Sequence, residues 1–446
     1  MCATSENRST PDQTDSGSAD FDIQTLSESF PVSSVLNICD CAAVGGVGSM
    51  DRRDVLKVSL ATAAAIGTSS KRAATADPGF KADADGQTGA AGQDKQPVLA
   101  SVYDFEAEAK RKLSLPAWEY FSCGSADEIT LRRNHEALDT IQLKPRVLVD
   151  VTRIDTSCTL LGHAMQHPIL LAPASSHLLA HPDAEVATAR GAGEAKAIMV
   201  ASTVSNRSIE EICKAASEPV WFQLYVDDDR KEVQKLIERA EAAGCKALCI
   251  TADIPLPYAR NREERIRAEA PTLPFPNLGT EAKPGGGGGR TRRHFNWVDL
   301  AWIQSFAKTP IILKGILNPD DADEAAKRGV AAIVVSNHGG RVLDTEPATI
   351  EVLPAVVDRV AGRVPVLFDS GIRRGTDILK GLGYGASAVM IGRPYLYGLS
   401  VAGADGIRDV VNILRSELEV AMAMTGRTHL NEIDRTIFWK SRDYSS

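Results

Sequence analysis

The stretch that decides the fold, residues 331–344, reads AAIVVSNHGGRVLD. Its first five residues are apolar and include three β-branched side chains, which predicts a strand buried on both faces. His338 and Arg341 follow at once on a glycine-containing turn. In parallel α/β proteins, ligands bind at the carboxyl ends of the strands. The stretch therefore places a titratable base and a fixed positive charge where a ligand is expected.

Seven further short apolar runs resemble this one, and helical patterns such as Arg230–Ala243 and Asp320–Arg328 separate most of them. Eight β/α units within about 250 residues predict an α/β fold of the (β/α)8 TIM barrel type. Short helices at Tyr103–Lys112 and Leu115–Phe121 are expected to precede it. The eight predicted strands are Pro168–Ala174, Ala197–Ala201, Val220–Tyr225, Ala247–Ala252, Pro310–Leu313, Ala331–Val335, Val364–Phe368 and Ala388–Ile391.

A doubly wound sheet is the alternative architecture. It would usually carry a Gly-x-Gly-x-x-Gly turn after its first strand, whereas the first strand here ends in Pro173-Ala174-Ser175. The barrel also makes a test possible, because functional residues should follow the strand ends. Glycines and arginines do follow the last two strands, in the segments 369–375 and 392–393, and such loops suit a phosphate group.

Composition limits the class of protein. The 446 residues are 43% hydrophobic and 24% charged, with a formal net charge of −8, which argues against a nucleic-acid partner. No apolar run is long enough for a stable membrane span in the mature protein. The 8 cysteines show no metal-ligand spacing, so no metal site is predicted, and their distribution does not suggest a full disulfide framework.

The segment before the barrel looks like an export leader. Arg52-Arg53 precede a mildly apolar run, and the small triplet Ala74-Thr75-Ala76 ends just before Asp77. This pattern resembles a twin-arginine signal and predicts a periplasmic or exported protein. The alternative is an ordinary amphipathic helix in a cytoplasmic protein. Because the signal begins 50 residues into the chain, Met50 is a candidate for the true start.

These observations divide the chain into four parts. The acidic, Ser- and Gly-rich first part shows no sustained period and is expected to be disordered, or not translated if Met50 is the start. The third part has the composition of a flexible linker. The predicted boundaries are 1–49 for the disordered extension, 50–76 for the twin-arginine signal, 77–100 for the linker and 101–446 for the barrel.

The motifs now point to a family. Ser336-Asn337-His338-Gly339-Gly340-Arg341, the segment Asp369-x-Gly371-x-Arg373-Arg374-Gly375 and the run Ile391-Gly392-Arg393-Pro394 resemble the FMN-dependent 2-hydroxy acid oxidase/dehydrogenase family. This family includes glycolate oxidase, lactate oxidase and the flavin domain of flavocytochrome b2. The resemblance covers about residues 101–440. It implies FMN as cofactor, oxidation of an (S)-2-hydroxy acid to the 2-oxo acid, and a homo-oligomer, a tetramer in relatives.

The resemblance also implies roles for individual residues. His338 would be the catalytic base, Asp253 would stabilise its protonated form, and Tyr225 would donate a hydroxyl near the substrate oxygen. The substrate-binding positions would be Tyr120, Tyr225, Arg341 and Arg260. The positions expected to hold FMN are Ser175, Ser202, Gln223, Thr251, Lys314, Ser336, Asp369, Gly371, Arg373, Gly392 and Arg393.

The chain departs from the family pattern in several places. Counting without gaps makes Arg260 the second substrate arginine, whereas an Arg-Glu pairing would choose Arg262. Val204 stands where glycolate oxidases carry a tryptophan, and Ser370 stands where a second glycine is common. The glycine-rich insertion 271–293 is expected to be mobile and to act as an active-site lid.

Two other functions compete with this hypothesis. An FMN-barrel isomerase or a phosphosugar enzyme would share the phosphate loops without needing the His338–Arg341 pair. A non-catalytic exported barrel that binds a ligand would not need the polar residues that catalysis uses. These are Tyr120, Tyr225, Lys314, His338 and Arg341. The sequence contains no haem-binding Cys-x-x-Cys-His motif, so the electron acceptor is expected to be oxygen, a quinone or a separate carrier.

Overall fold

The computed structural model describes residues 98–256, 259–285 and 295–439. The predicted disordered extension, the twin-arginine signal and nearly all of the linker lie outside these residues. So does part of the predicted lid.

Eight parallel strands form a closed barrel, which confirms the TIM barrel and excludes the doubly wound sheet. The last strand pairs with the first, with Val389 opposite Ile169 and Ile391 opposite Leu171. Each predicted strand is present, and most are shorter than predicted by one to three residues at one or both ends. The barrel strands are β3 (Ile169–Leu171), β4 (Met199–Ser202), β5 (Val220–Leu224), β6 (Leu248–Thr251), β9 (Ile311–Lys314), β10 (Ala332–Val335), β11 (Val366–Phe368) and β12 (Ala388–Ile391).

The helices are numbered in chain order among the described residues. Two of the three that precede the barrel were predicted, and the third, α3, was not. They are α1 (Val102–Lys112), α2 (Leu115–Ser122) and α3 (Ile129–Thr140). Those around the barrel are α4 (Glu185–Glu194), α5 (Ile209–Ala215), α6 (Arg230–Ala242), α7 (Asn261–Ile266), α8 (Trp297–Gln304), α9 (Pro319–Lys327), α10 (Thr349–Val360), α11 (Gly375–Gly383) and α12 (Arg393–Met424), the last kinked at Ala402 and Gly403.

The strands are apolar on both faces because each face packs against a different core. In β10, Ala332 and Val334 point into the barrel interior, where they meet side chains such as Trp221. Ile333 and Val335 point outward into the larger core under the helices. This alternation explains why the strand reads as a continuous apolar run.

Two hairpins lie outside the barrel sheet, and the sequence did not predict either of them. The first pairs β1 (Cys158–Leu160) with β2 (His163–Met165), and its Leu160 and Met165 join the interior core of the barrel. The second pairs β7 (Leu273–Phe275) with β8 (Thr280–Ala282), inside the segment expected to be a mobile lid. The described part of that segment therefore has regular structure.

Some general properties can be stated for the described residues. Within those ranges, no helix is both long and apolar enough to cross a bilayer. No group of three or more potential metal ligands is found in the same part of the chain. The cysteines there, Cys123, Cys158, Cys213, Cys245 and Cys249, are all free thiols.

Candidate active site

A cavity of about 460 Å³ opens at the carboxyl ends of the barrel strands. Its volume lies in the range that is usual for sites binding small molecules and cofactors. Of the site residues predicted from sequence, all but Asp253 and Ser336 line it. Those two lie directly behind the wall, where Asp253 contacts His338 and Ser336 contacts Lys314. The predicted residues in the wall are Tyr120, Ser175, Ser202, Gln223, Tyr225, Thr251, Arg260, Lys314, His338, Arg341, Asp369, Gly371, Arg373, Gly392 and Arg393.

The loop after β10 holds His338 in an unusual backbone conformation. His338, Gly339 and Gly340 all have positive φ angles, of 57°, 70° and 69°. Glycine adopts this region freely, but a histidine there is uncommon and needs support from its surroundings. The support includes a reciprocal pair of amide hydrogen bonds of 3.0 and 2.8 Å between Asn134 on α3 and Asn337. Helix α3 thus fixes the loop that carries His338.

His338 and Asp253 form a hydrogen-bonded pair. The His338 Nδ1 atom lies 3.2 Å from each carboxylate oxygen of Asp253. Burial lowers the pKa of His338 below its ordinary value, although Asp253 partly opposes this effect. Burial alone would raise the pKa of Asp253, but the charges of His338 and Lys314 bring it below its usual range. At neutral pH the imidazole is therefore neutral and able to accept a proton, and the carboxylate is ionised.

Three side chains that suit a substrate carboxylate converge on one wall. The guanidinium carbons of Arg341 and Arg260 lie 5.4 and 5.6 Å from the centroid of the Tyr120 ring. The Tyr120 hydroxyl lies 2.9 Å from the hydroxyl of Ser175 in the loop after β3. Arg341 also donates hydrogen bonds to the carbonyls of Tyr120 and Cys123, at 2.8 and 2.9 Å. Two fixed cations and a hydroxyl therefore surround one position.

The geometry distinguishes the two candidates for the second arginine. Arg260 is buried in the cavity wall, where its Nη1 lies 2.7 Å from Glu263. Arg262 does not line the cavity. It pairs instead with Glu119 on α2 and with Glu128, at 2.6 and 3.1 Å. The structure thus favours Arg260, and it gives Arg262 a role in attaching α7 to the segment before the barrel.

A chain of hydrogen bonds crosses the floor of the cavity on three neighbouring strands. The Ser202 hydroxyl donates to the side-chain Oε1 atom of Gln223 at 3.0 Å, and the side-chain Nε2 atom of Gln223 donates to the Thr251 hydroxyl at 2.9 Å. Ser202 and Thr251 are the last residues of β4 and β6, and Gln223 is the last but one of β5. The barrel register places Ser202 directly opposite Gln223. The result is a polar row facing the space where a flat heteroaromatic ring would be bound.

Lys314 supplies a buried positive charge next to this row. Its side chain is only 3% exposed, and its Nζ atom donates to Ser336 at 2.9 Å and lies 3.5 Å from Asp369. Burial alone would lower the pKa of Lys314, but Asp369 and Asp253 raise it above the ordinary value. The lysine is therefore charged throughout the physiological pH range.

The loops after β11 and β12, which line the cavity, fit a phosphate group. Gly371 has a φ of 87° there, and a Cβ would collide with the backbone oxygen of Asn134. A Cβ at Gly392 would meet no atom within 4 Å, so this loop borders open space. The pKa of Arg393 is lowered to about 10 because the group is buried and has Arg341 and Arg373 as like-charged neighbours. A phosphate dianion would relieve that repulsion, so the residues present fit the end of an FMN molecule.

The structure also shows cavity residues that the sequence reasoning did not assign to the site. They include six residues in the segment after β6 and in the insertion that follows it. The long insertion after β6 could have indicated them, because the segments that follow barrel strands border the site. The residues are Ile254, Pro255, Leu256, Glu264, Arg267 and Gly285.

Comparison with known proteins agrees with this geometry. The sequence profile described as FMN-dependent dehydrogenase matches residues 109–440. The chain belongs to the FMN-dependent dehydrogenase family. FMN is therefore the cofactor of this chain. The polar row, Lys314 and the loops after β11 and β12 are the residues that would hold it, and it would supply the acceptor for the two electrons of the reaction.

Several members of the FMN-dependent dehydrogenase family are similar over nearly their whole length. An L-lactate oxidase from Nostoc sp. is 44% identical over 351 residues, which are 75% of this chain and 96% of the relative. A 2-hydroxyacid oxidase from Dictyostelium discoideum is 42% identical over 78% of this chain and 92% of its own. Among solved structures, a mandelate oxidase matches with a TM-score of 0.71 at 34% identity, over 75% of this chain and 97% of that one.

Proposed function

We propose that this enzyme oxidises an (S)-2-hydroxy acid, lactate-like or longer, to the 2-oxo acid, with His338 as the base. The observation that carries the proposal is the position of the His338–Asp253 pair on the same cavity as Tyr120, Arg260 and Arg341. A 2-hydroxy acid has a carboxylate next to the carbon that is oxidised. The site offers cations that bind the carboxylate and a base that accepts a proton at the carbon centre that is oxidised.

Each residue of the site has a role that follows from its chemistry. The guanidinium groups of Arg341 and Arg260 bind the carboxylate and stay charged at any relevant pH. Tyr225, at the end of β5, lines the cavity and supplies a hydroxyl near the substrate oxygen. The Nε2 atom of His338 accepts a proton from the substrate, and the carboxylate of Asp253 stabilises the resulting imidazolium. Lys314 compensates the negative charge that accumulates near the cofactor.

Val204 supports a substrate larger than glycolate. It lines the cavity, as do Ile254 and Leu256, so apolar surface is available to a substrate side chain. Each buried methylene of a substrate contributes about 0.8 kcal/mol in such surroundings. The relatives include proteins named for lactate and for mandelate, which have different side chains. The enzyme is therefore expected to prefer lactate or longer and branched 2-hydroxy acids.

Anaerobic reduction of the bound flavin tests the proposal. The yellow holoenzyme should lose its flavin colour when mixed with L-lactate or a longer (S)-2-hydroxy acid in the absence of oxygen. The (R) enantiomers serve as the matched control and should leave the colour unchanged. An isomerase, a phosphosugar enzyme or a non-catalytic barrel would keep the oxidised spectrum with all of these acids, and that result would overturn the proposal.

The electron acceptor can be found in the same experiment. We infer that oxygen, a quinone or a separate carrier reoxidises the cofactor. Mixing the reduced enzyme with each candidate and following the return of the flavin colour ranks them by rate. Several relatives are named oxidases, which makes oxygen the first acceptor to test.

We also propose that the chain is exported by the twin-arginine route and assembles into a homo-oligomer. The support for export is the Arg52-Arg53 pair and the triplet before Asp77. The support for assembly is an apolar surface, since Val147 and Leu148 are almost fully exposed beside Met424, whose carbonyl accepts a hydrogen bond from Arg146.

Each of these two proposals has its own test. Replacing Arg52 and Arg53 by lysine should trap uncleaved flavoprotein in the cytoplasm of the native host, as measured by cell fractionation. Full-length wild-type protein found only in the cytoplasm would contradict export. Leu148→Asp should lower the molar mass measured by light scattering, and a monomeric wild-type protein would contradict assembly.

A further inference from the structure

Two cysteine thiols lie in contact on the side of the barrel away from the cavity. The Sγ atoms of Cys213 and Cys245 are 3.6 Å apart. Cys213 is in the last turn of α5, and Cys245 follows α6 shortly before β6 begins. Because Cys245 precedes the amino end of its strand, the pair lies at the opposite end of the barrel from the active site.

The surrounding structure keeps the two thiols together. Arg239 on α6 donates two hydrogen bonds to the carboxylate of Glu210 on α5, at 3.0 and 3.1 Å, and so joins the same two helices. The Cys245 amide donates to the Ala240 carbonyl at 3.0 Å, which fixes its backbone. The sulfur atoms would need to approach by only about 1.6 Å to reach disulfide bonding distance.

We propose that Cys213 and Cys245 are a redox pair that a peroxide oxidises to a disulfide. The Cys213 thiolate attacks one oxygen of hydrogen peroxide, the O–O bond breaks, and Cys213 becomes a sulfenic acid while one water is released after protonation. The Cys245 thiolate then attacks the Cys213 sulfur, the S–O bond breaks, and a second water leaves. Overall, two thiols are oxidised and one peroxide is reduced to two waters.

The environments of the two thiols assign these roles. Cys213 is half-buried and accessible to a small oxidant, whereas Cys245 is buried. The contact with Cys245 lowers the pKa of the Cys213 thiol, although burial opposes this effect, and the same contact and burial raise the pKa of Cys245. The thiol with the lower pKa and better access is the one that attacks first. Cys245 then acts as the resolving thiol.

The structure also predicts what oxidation does to the protein. A disulfide here would link α5 to the turn between α6 and β6 and constrain the unfolded chain between them, which raises Tm. The bond would not touch the cavity, so kcat and KM for the 2-hydroxy acid should stay within about twofold of the reduced values. The pair is thus a stabilising device that responds to peroxide, and it does not depend on the substrate proposed for the active site.

Treating the intact holoenzyme with peroxide and analysing its peptides by mass spectrometry tests this inference. The reduced protein is exposed to a small excess of hydrogen peroxide, and the remaining thiols are then alkylated. We expect a cross-linked peptide containing Cys213 and Cys245, two fewer titratable thiols and a higher Tm. Cys158 is the matched control because it is half-buried like Cys213, and burial raises the pKa of its thiol to about 11.

Two variants make the outcome decisive. Cys245→Ser should leave Cys213 as a sulfenic acid that dimedone traps, and Cys213→Ser should leave Cys245 reduced. Both should keep wild-type flavin content and activity, which separates this test from that of the proposed function. Loss of Cys158 at the same rate as Cys213, or peroxide treatment that leaves both Cys213 and Cys245 as free thiols, would overturn the proposal.

Discussion

The hydroxyl oxygens of Tyr120 and Ser175 lie 2.9 Å apart, and this hydrogen bond joins helix α2 to the loop after the first barrel strand. Tyr120 comes from outside the barrel, so its position at the cavity depends on such contacts. Ser175 in turn lies 2.9 Å from the hydroxyl of Ser176. The serine row therefore orients the tyrosine hydroxyl toward the place expected for the substrate carboxylate.

Ser175→Ala should lower kcat/KM about two- to tenfold, because one hydrogen bond to the Tyr120 hydroxyl contributes roughly 0.5–1.5 kcal/mol. Tyr120→Phe removes the hydroxyl itself and should lower kcat/KM at least as much. Steady-state kinetics with L-lactate measure both effects, and the double variant shows whether they share one interaction. Additive losses in the double variant would mean that the two hydroxyl groups act independently.

His338→Ala should retain FMN but lose most of the flavin reduction by substrate, since the phosphate and ring contacts lie elsewhere in the cavity. Loss of a general base typically costs about 10²–10⁴ in rate. Stopped-flow reduction under anaerobic conditions measures it. His163→Ala, on the hairpin outside the barrel sheet, is the control and should reduce at the parent rate. Near-normal reduction in a flavin-loaded His338→Ala variant would remove this histidine from the mechanism.

The pH dependence of kcat/KM should report the His338–Asp253 pair. The pKa of His338 is lowered, so the rate should be constant near neutral pH and fall only when acid protonates the imidazole. Asp253 raises this pKa, and Asp253→Asn should therefore move the acid limb to lower pH. The plateau should also fall, because the imidazolium loses its carboxylate. A limb that moves to higher pH in this variant would contradict the assignment.

Arg393→Ala should weaken FMN retention. The side chain lines the cavity in the loop proposed to hold the phosphate, and it also donates to the carbonyls of Phe121 and Cys123 at 2.9 Å. Arg374→Ala is the matched control, since Arg374 pairs with Glu417 at 2.8 Å and does not line the cavity. Flavin absorbance per protein after gel filtration measures retention. A folded Arg393→Ala variant that holds flavin as tightly as the parent would locate the phosphate elsewhere.

Val204→Trp should narrow the apolar end of the pocket and shift the preference toward glycolate. The added ring would remove space used by a longer side chain, and kcat/KM for such acids should fall roughly tenfold or more. Val204→Ile adds little volume and serves as the control. Comparing glycolate, L-lactate and longer (S)-2-hydroxy acids gives the selectivity. A wild-type enzyme whose kcat/KM is highest for glycolate would contradict the role given to Val204.

Much of the fold could be predicted from the sequence because buried barrel strands have a strong local signal. The run Ala331–Val335 is apolar on both faces, and its neighbours are similar. Helix α3 was missed because its apolar positions are few and Glu128, before its first residue, provides no side-chain cap. The short hairpins were missed since three-residue strands are too short to show a period.

The site was predicted less completely, for a physical reason. Motifs identified His338 and Arg341, but the choice between Arg260 and Arg262 depended on a turn whose course no local pattern specifies. They are separated by tertiary packing, which places Arg260 in the cavity wall and pairs Arg262 with Glu119 and Glu128. The role of Ser370 also depends on tertiary packing. Its φ of 79° explains why a glycine suits this position. The serine instead accepts a hydrogen bond from the Gly339 amide through its hydroxyl, at 3.0 Å.

The amide pair between Asn134 and Asn337 spans 203 positions of the chain. During synthesis, residue 134 leaves the ribosome long before residue 337 is added to the chain. Asn134 on helix α3 therefore cannot form its hydrogen bonds with Asn337 until late in synthesis. The barrel itself also closes late, because β12 pairs with β3. Contacts between such distant segments make folding slow, because the long loop must close before they form. We expect a nascent chain truncated before β10 to lack the His338 loop and to expose apolar strand edges, and such edges are the surfaces that chaperones bind during translation.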